Sequence, residues 1–245
     1  MRDIGESGLR NRAFEEKFTR EKVLQEVVGS GPVVLFDIGA HLGESVHYLR
    51  ELFPESKIFS FEPDPGSFEK LSAKKVPGVR YFNLALCEKD GRMAFYRNPI
   101  SHTNSLVKVN SESRDSIAFT KARAENRTDV FQGMNLEIQV PTARLDTFCR
   151  ENGVSHIDLL KIDVQSAERV VLEGGVETLE KAKVVVVEIN FFDYYERSSS
   201  FSDIEKFLHP AGFRLFSISE ISNNPMNGRT DWAEVIYAKP GKTSS

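Results

Sequence analysis

A mostly parallel α/β sheet with helices on both faces is the fold this chain predicts, and three features of the sequence predict it. First, four short apolar runs each end on a carboxylate: Val33–Phe36 before Asp37, Ile58–Phe61 before Glu62, Leu159–Ile162 before Asp163, and Val184–Val187 before Glu188. Runs this long with so little alternation read as strands buried on both faces. Second, helix-length segments separate the runs, and that order demands right-handed crossovers. Third, the last apolar run, Trp232 to Ala238, follows a turn-rich stretch (Asn223, Asn224, Pro225, Asn227, Gly228), as the second arm of an antiparallel hairpin would. In open sheets of this kind ligands bind outside the carboxyl ends of the strands, so the four acids are expected at the mouth of a site.

The elements follow in order. Residues 1–30 read as a charged helical extension with an apolar stripe of Phe14, Phe18, Val23, Leu24, Val27 and Val28, ended by Gly29-Ser30-Gly31-Pro32. A main domain over 31–240 then begins: strand 33–37, helix 43–53, strand 57–62, helix 65–75 and strand 79–84. Extra strands at Arg92–Arg97 and Leu136–Pro141 flank a polar insert, 98–135, rich in Ser, Asn and Thr. Long inserts in compact domains are more often lids or binding loops than idle linkers. Helix 145–151, strand 157–163, helix 166–173, strand 183–189, helix 201–209 and strand 213–218 resume the alternation. Residues 241–245 are expected to be a disordered tail.

The chain has 245 residues, 40% of them hydrophobic and 28% charged, which suits one decorated α/β domain. A net charge of −4 and the balanced insert argue against nucleic-acid binding. No apolar run approaches the ~20 residues of a membrane-spanning helix, and the first 22 residues lack the apolar stretch of a secretory signal. Two distant cysteines, Cys87 and Cys149, suggest reduced thiols and a cytoplasmic setting. The five histidines show no metal-ligand spacing, so no metal is expected. Composition leaves homo-oligomerisation open.

The functional signal centres on Asp37-Ile38-Gly39-Ala40-His41-Leu42-Gly43, between a buried strand and a helix. Glycines there allow a sharp turn and close approach of the backbone to a ligand. A dinucleotide fingerprint wants a second glycine where His41 stands. Asp37 would repel a pyrophosphate but suits a ligand with an ammonium and a sulfonium. Glu62, ending the second strand, is placed to accept hydrogen bonds from ribose hydroxyls, a feature shared by nicotinamide and S-adenosylmethionine folds.

At this point the chain resembles the FkbM-type methyltransferases over roughly Val33 to Lys239. The blocks that carry the resemblance are Asp37 to Ser45, Phe61-Glu62-Pro63-Asp64-Pro65, Asn83-Leu84-Ala85-Leu86 with Gly91, Leu160 to Glu168, Val171-Leu172-Glu173-Gly174, Glu188 with Asp193 to Glu196, and Gly212 to Phe216. His41 and Ser166 stand where the family usually has Asn and Gly. The resemblance implies a Rossmann-like class I methyltransferase sheet, S-adenosylmethionine as cofactor, and O-methyl transfer to a sugar, glycoconjugate or polyketide-like product. Transfer to nitrogen, or a non-catalytic cofactor-binding module, are the other readings.

It further implies that Asp37 and the backbone of Gly39, Ala40 and His41 hold the amino-acid part of the cofactor, with Gly43 in the same loop. Ser45 would bind its carboxylate, Glu62 and Pro63 would flank the ribose, and Leu84 and Ala85 would border the adenine. Asp163 would lie beside the sulfonium. A hydroxyl acceptor must lose its proton as the new bond forms, and Asp163, Glu188 and His102 are the candidate bases, in that order. Lys161 is expected to face away from the neighbours of Asp163 and pair with another acid. Phe191, Phe192, Tyr194, Tyr195 and Trp232 are expected to wall an acceptor pocket or pack under the lid.

Overall fold

The computed structural model describes residues 4–123, 132–225 and 227–240. The extension forms two helices, α1 (Ile4–Lys17) and α2 (Arg20–Val28). They are separate because Thr19, in extended geometry, caps α2 by accepting the Lys22 N–H. The stripe expected across both is therefore split. Val23, Leu24, Val27 and Val28 are buried, whereas Phe14 is exposed.

The central elements are β1 (Val34–Ile38), α3 (Glu44–Leu52), β2 (Lys57–Phe61), α4 (Pro65–Ala73), β3 (Val79–Phe82), β4 (Ala85–Leu86), β5 (Gly91–Arg97), α5 (Arg114–Arg123) and β6 (Leu136–Ala143). The second half adds α6 (Leu145–Glu151), β7 (Ile157–Ile162), α7 (Glu168–Glu173), α8 (Val176–Lys181), β8 (Ala182–Asn190), α9 (Phe201–Leu208), β9 (Arg214–Asn223) and β10 (Thr230–Ala238). Seven strands form one sheet in the order β3-β2-β1-β7-β8-β10-β9, parallel except where β10 runs against both β8 and β9. The hairpin expected from the sequence is present, and its second arm also wedges between β8 and β9.

Alternate residues of the central strands feed two cores. Phe36, Ile38, Leu160, Ile162, Val185 and Val187 pack with α6 to α9. On the other face Leu35, Leu159, Val184, Val186 and Ile236 pack with α2 and α3. Fully burying such side chains stabilises by roughly 1.5–3 kcal/mol each, which explains strands apolar on both faces.

The departures from expectation have local causes. The strand foreseen over 79–84 stops at Phe82, because the Asn83 side chain donates to the carbonyls of Glu62 and Pro63 at 2.9 and 3.0 Å. The chain then enters a second, three-stranded sheet, β4-β6-β5. The helix foreseen from 166 begins at Glu168, since Gln165 and Ser166 take φ of +57° and +74°. Helices α5 and α8 were not foreseen. The insert folds back toward β8 through a Val109–Tyr195 bridge; its residues 124–131, like the tail 241–245, lie outside the described residues.

Candidate active site

A cavity of about 340 Å³ opens over the carboxyl ends of β1, β7 and β8, within the range of small-molecule sites. Gly39, Ala40, His41, Ser45, Glu62, Pro63, Leu84, Ala85, His102, Asp163 and Glu188 line it. Two sequence-predicted residues do not, Asp37 and Gly43. Asp37 is fully buried beneath the loop instead of standing at the mouth. Its Oδ2 accepts from Ser45 Oγ at 2.7 Å, and Lys161 Nζ lies 3.8 Å from Oδ1. Burial raises its pKa, against the pull of Lys161 and Ser45. Gly43 is the left-handed residue (φ +89°) at the start of α3, where a Cβ would lie 2.7 Å from Leu71. It shapes the loop from outside the cavity.

The loop's hydrogen bonds decide what it can hold. Gly39 and Ala40 N–H both donate to the Phe61 carbonyl at 3.0 Å, and His41 N–H donates to Glu62 Oε2 at 2.9 Å. Three consecutive donors are thus used within the protein, so the turn is no phosphate cradle, which needs them directed at the ligand. Gly39 (φ +87°) also brings two strand ends together: a Cβ there would fall 1.8 Å from the Asp163 carbonyl oxygen. His41, at φ +47°, turns its ring toward the insert, with Nε2 2.9 Å from Ser101 Oγ and its ring 6.5 Å from that of His102.

Glu62 is anchored by Asp64 N–H at 2.8 Å on Oε1 and His41 N–H on Oε2, leaving one lone-pair direction on each oxygen for a ligand. Burial pushes its pKa up to about 8, against those two donors. Lys161 shares a face with Asp163, since alternate strand residues point the same way, and the expectation that it faces away is corrected. Its ammonium is 3.1 Å from Asp163 Oδ2. Burial works against the Lys161 charge, but Asp163 and Asp37 outweigh it and raise the pKa.

Gln165, whose role was not read from the sequence, completes the centre. Gln165 Nε2 donates to Asp163 Oδ1 at 3.0 Å and to Glu188 Oε1 at 3.3 Å, and its Oε1 accepts from the buried Tyr195 hydroxyl at 3.0 Å. Together with Lys161 it sets Asp163 apart from Glu188. Burial would raise Asp163, but Lys161 and the Gln165 amide hold it below the usual carboxylate range. Burial and the charges of Asp163 and Glu168 push Glu188 well above that range. Two neighbouring carboxyls driven in opposite directions divide acid from base. Of the aromatic residues, Trp232 lines the cavity; Phe192, Tyr194 and Tyr195 pack with Val109 beneath the insert, and Phe191 stacks on Phe201.

This arrangement meets a matching family model, the methyltransferase FkbM domain, over residues 37–215. The chain belongs to the FkbM methyltransferase family. It is an S-adenosylmethionine-dependent methyltransferase with a Rossmann-like sheet. Relatives include the 2-O-methyltransferase NoeI of Sinorhizobium fredii, 29% identical over 80% of this chain and 78% of that one. The 31-O-demethyl-FK506 methyltransferase FkbM of Streptomyces tacrolimicus is 30% identical over 74% of each chain. The hexuronic acid methyltransferase AglP of Haloferax volcanii is 24% identical over 64% of this chain and 56% of that one. No helix among the described residues is long and apolar enough to cross a membrane.

Proposed function

We propose that this FkbM-family enzyme moves a methyl group from S-adenosylmethionine to a hydroxyl of a small-molecule or glycan acceptor, of the sugar, glycoconjugate or polyketide-like kind its relatives' names indicate. The observation that carries the reading is a cavity edged by carboxylates beside a loop whose N–H donors are spent. Such a site favours a cation over a diphosphate. Glu62, with one free acceptor direction per oxygen, fits a pair of ribose hydroxyls, and Leu84 and Ala85 give an apolar border for a purine. The Ser45 hydroxyl is committed to Asp37, so a ligand carboxylate would meet the first-turn backbone of α3 instead.

Bound there, S-adenosylmethionine supplies an electrophilic methyl group. The protein's part is to align the acceptor oxygen, exclude water and take the proton. Asp163, kept ionised by Lys161, is the group suited to accept that proton. Glu188, raised well above the usual carboxylate range by burial and its acidic neighbours, is better suited to donate a hydrogen bond to the acceptor than to act as base. His102 lines the same cavity from the insert and is the third candidate. On this reading residues 31–240 are the catalytic domain, 98–135 its lid, and the buried free thiols of Cys87 and Cys149 suit a cytoplasmic enzyme.

Calorimetry with S-adenosylmethionine, S-adenosylhomocysteine and NAD tests the cofactor assignment: the first two should bind and NAD should not. Equal binding of NAD would refute it.

A further inference from the structure

The sheet register sets three glutamates side by side. Glu188 of β8 pairs with Glu234 of β10, Glu234 pairs with Glu220 of β9, and all three line the cavity. Like charges directly opposite one another in a sheet destabilise it, so the Glu234–Glu220 pair requires compensation. It comes from the N-terminal extension. Arg20 of α2 donates from Nε and Nη2 to the two oxygens of Glu234 at 2.8 and 2.5 Å, and its Nε lies 3.6 Å from Glu220. The guanidinium rests 4.6 Å over the Tyr48 ring. One guanidinium thus faces two carboxylates, the buried Glu234 and the exposed Glu220, an excess of one formal negative charge at this end of the cavity.

One rung further along the same face, Asn190 pairs with Trp232. Asn190 is 8% exposed, and its Nδ2 is buried with no hydrogen-bond partner among the described residues. Asn190 does not line the cavity, so Trp232 is the member of this pair that an acceptor would meet. Arg20, Glu220, Trp232 and Glu234 all fall outside the span 37–215 that defines the family domain. The cofactor end is therefore built within the matched span, and the opposite end from Glu188 together with residues of the flanking segments.

Resting on the methyltransferase reading, we propose that Arg20, Glu188, Glu220, Trp232 and Glu234 form the acceptor subsite, and that it selects by charge. It takes an uncharged, hydroxyl-bearing acceptor and rejects an anionic one. The carboxylates provide acceptors for hydroxyls, and the Trp232 ring offers a flat apolar wall. Arg20 offers an anionic acceptor little, because Glu234 already holds its fork.

The test uses matched probes: methyl hexopyranosides and a cyclohexane polyol, each against its carboxylate-bearing analogue. Binding to the full chain saturated with S-adenosylhomocysteine is read by calorimetry, and methyl transfer by initial rate. The neutral member of a pair should bind and react at least tenfold better than the anionic one. Glu220→Lys should shrink that gap by tenfold or more, and Glu220→Gln by a smaller factor, with S-adenosylhomocysteine affinity unchanged within twofold. The proposal is overturned by equal use of both members, by a gap that Glu220→Lys leaves intact, or by failure of every probe to bind. Loss of S-adenosylhomocysteine binding by the unmodified protein would instead strike the cofactor reading beneath it.

Discussion

Replacing Glu62 with Gln should change the sign of its effect on stability within the accessible pH range. The native carboxyl is buried, and its pKa rises from an ordinary 4.5 to about 8. A group raised in this way binds its proton more tightly in the folded state, so its stabilising contribution is complete below pH 4.5 and is lost as pH climbs through 8. At about 1.4 kcal/mol per pH unit, the loss approaches about 5 kcal/mol across that window. Gln has no such slope, but it carries one acceptor oxygen where Glu62 has two. Its amide must therefore confront either the His41 N–H or the Asp64 N–H, leaving a backbone donor unmet at about 1–3 kcal/mol. The variant should be the less stable protein at pH 5 and the more stable one at pH 8.5, crossing over between about pH 5 and 7. Urea titrations of both proteins across this range measure the difference, and the slopes of Asp37, Glu168 and Glu188 cancel in it. Binding of S-adenosylhomocysteine adds an independent arm: ribose hydroxyls require the ionised acid, so native affinity should rise by about tenfold per pH unit up to pH 8, while the variant stays flat and weak. A stability difference constant from pH 5 to 8.5 would refute the reasoning.

Other outcomes follow from the same geometry. Asp163→Asn should retain measurable S-adenosylhomocysteine binding while initial rates fall by about 10²-fold or more; an unchanged turnover number would remove Asp163 as proton acceptor. Gly39→Ala forces a Cβ to within 1.8 Å of the Asp163 carbonyl at a positive φ, and should cost more than about 3 kcal/mol in thermal denaturation. Tyr195→Phe frees the Gln165 amide to rotate, and should move the acidic limb of the rate–pH profile with little effect on cofactor affinity. Methyl transfer is expected to persist in chelator, and activity lost there and restored by a divalent cation would refute the metal-free expectation.

The order of strands and the loop at Asp37 were legible in the sequence because they rest on local signals: unbroken apolar runs, turn glycines and acids at run ends. What a run cannot show is how deep its end lies. Asp37 reads like Glu62, yet neighbouring β2 and β7 flank it on both sides while the loop and Ser45 cover it, so it is sealed where Glu62 reaches the cavity. The relation of Lys161 to Asp163 was misread, although simple strand alternation gives it. The split at Asn83 was not, because it depends on a side chain capturing carbonyls that only the folded turn presents. Gln165 was visible as part of a motif, but its role depends on Tyr195, thirty positions away, which sequence order does not bring near.

Register explains why the acceptor end was the least legible part. Glu188, Glu234 and Glu220 come from three strands whose mutual alignment is fixed by a hairpin and three irregularities in the β9–β10 ladder. A one-residue slip would turn every β9 side chain to the other face, and Glu220 with it. Arg20 arrives from a helix nearly the whole chain away in sequence. A pocket assembled from such distant pieces can change its acceptor without disturbing Asp37, Glu62 or Asp163, because β1, β2 and β7 hold those acids without β9, and Arg20 reaches the pocket from the first turn of α2, away from the apolar residues that pack on β1 and β7. Separation of this kind predicts that substitutions at Arg20 or Glu220 alter which hydroxyl compound is used before they alter how the methyl donor is held.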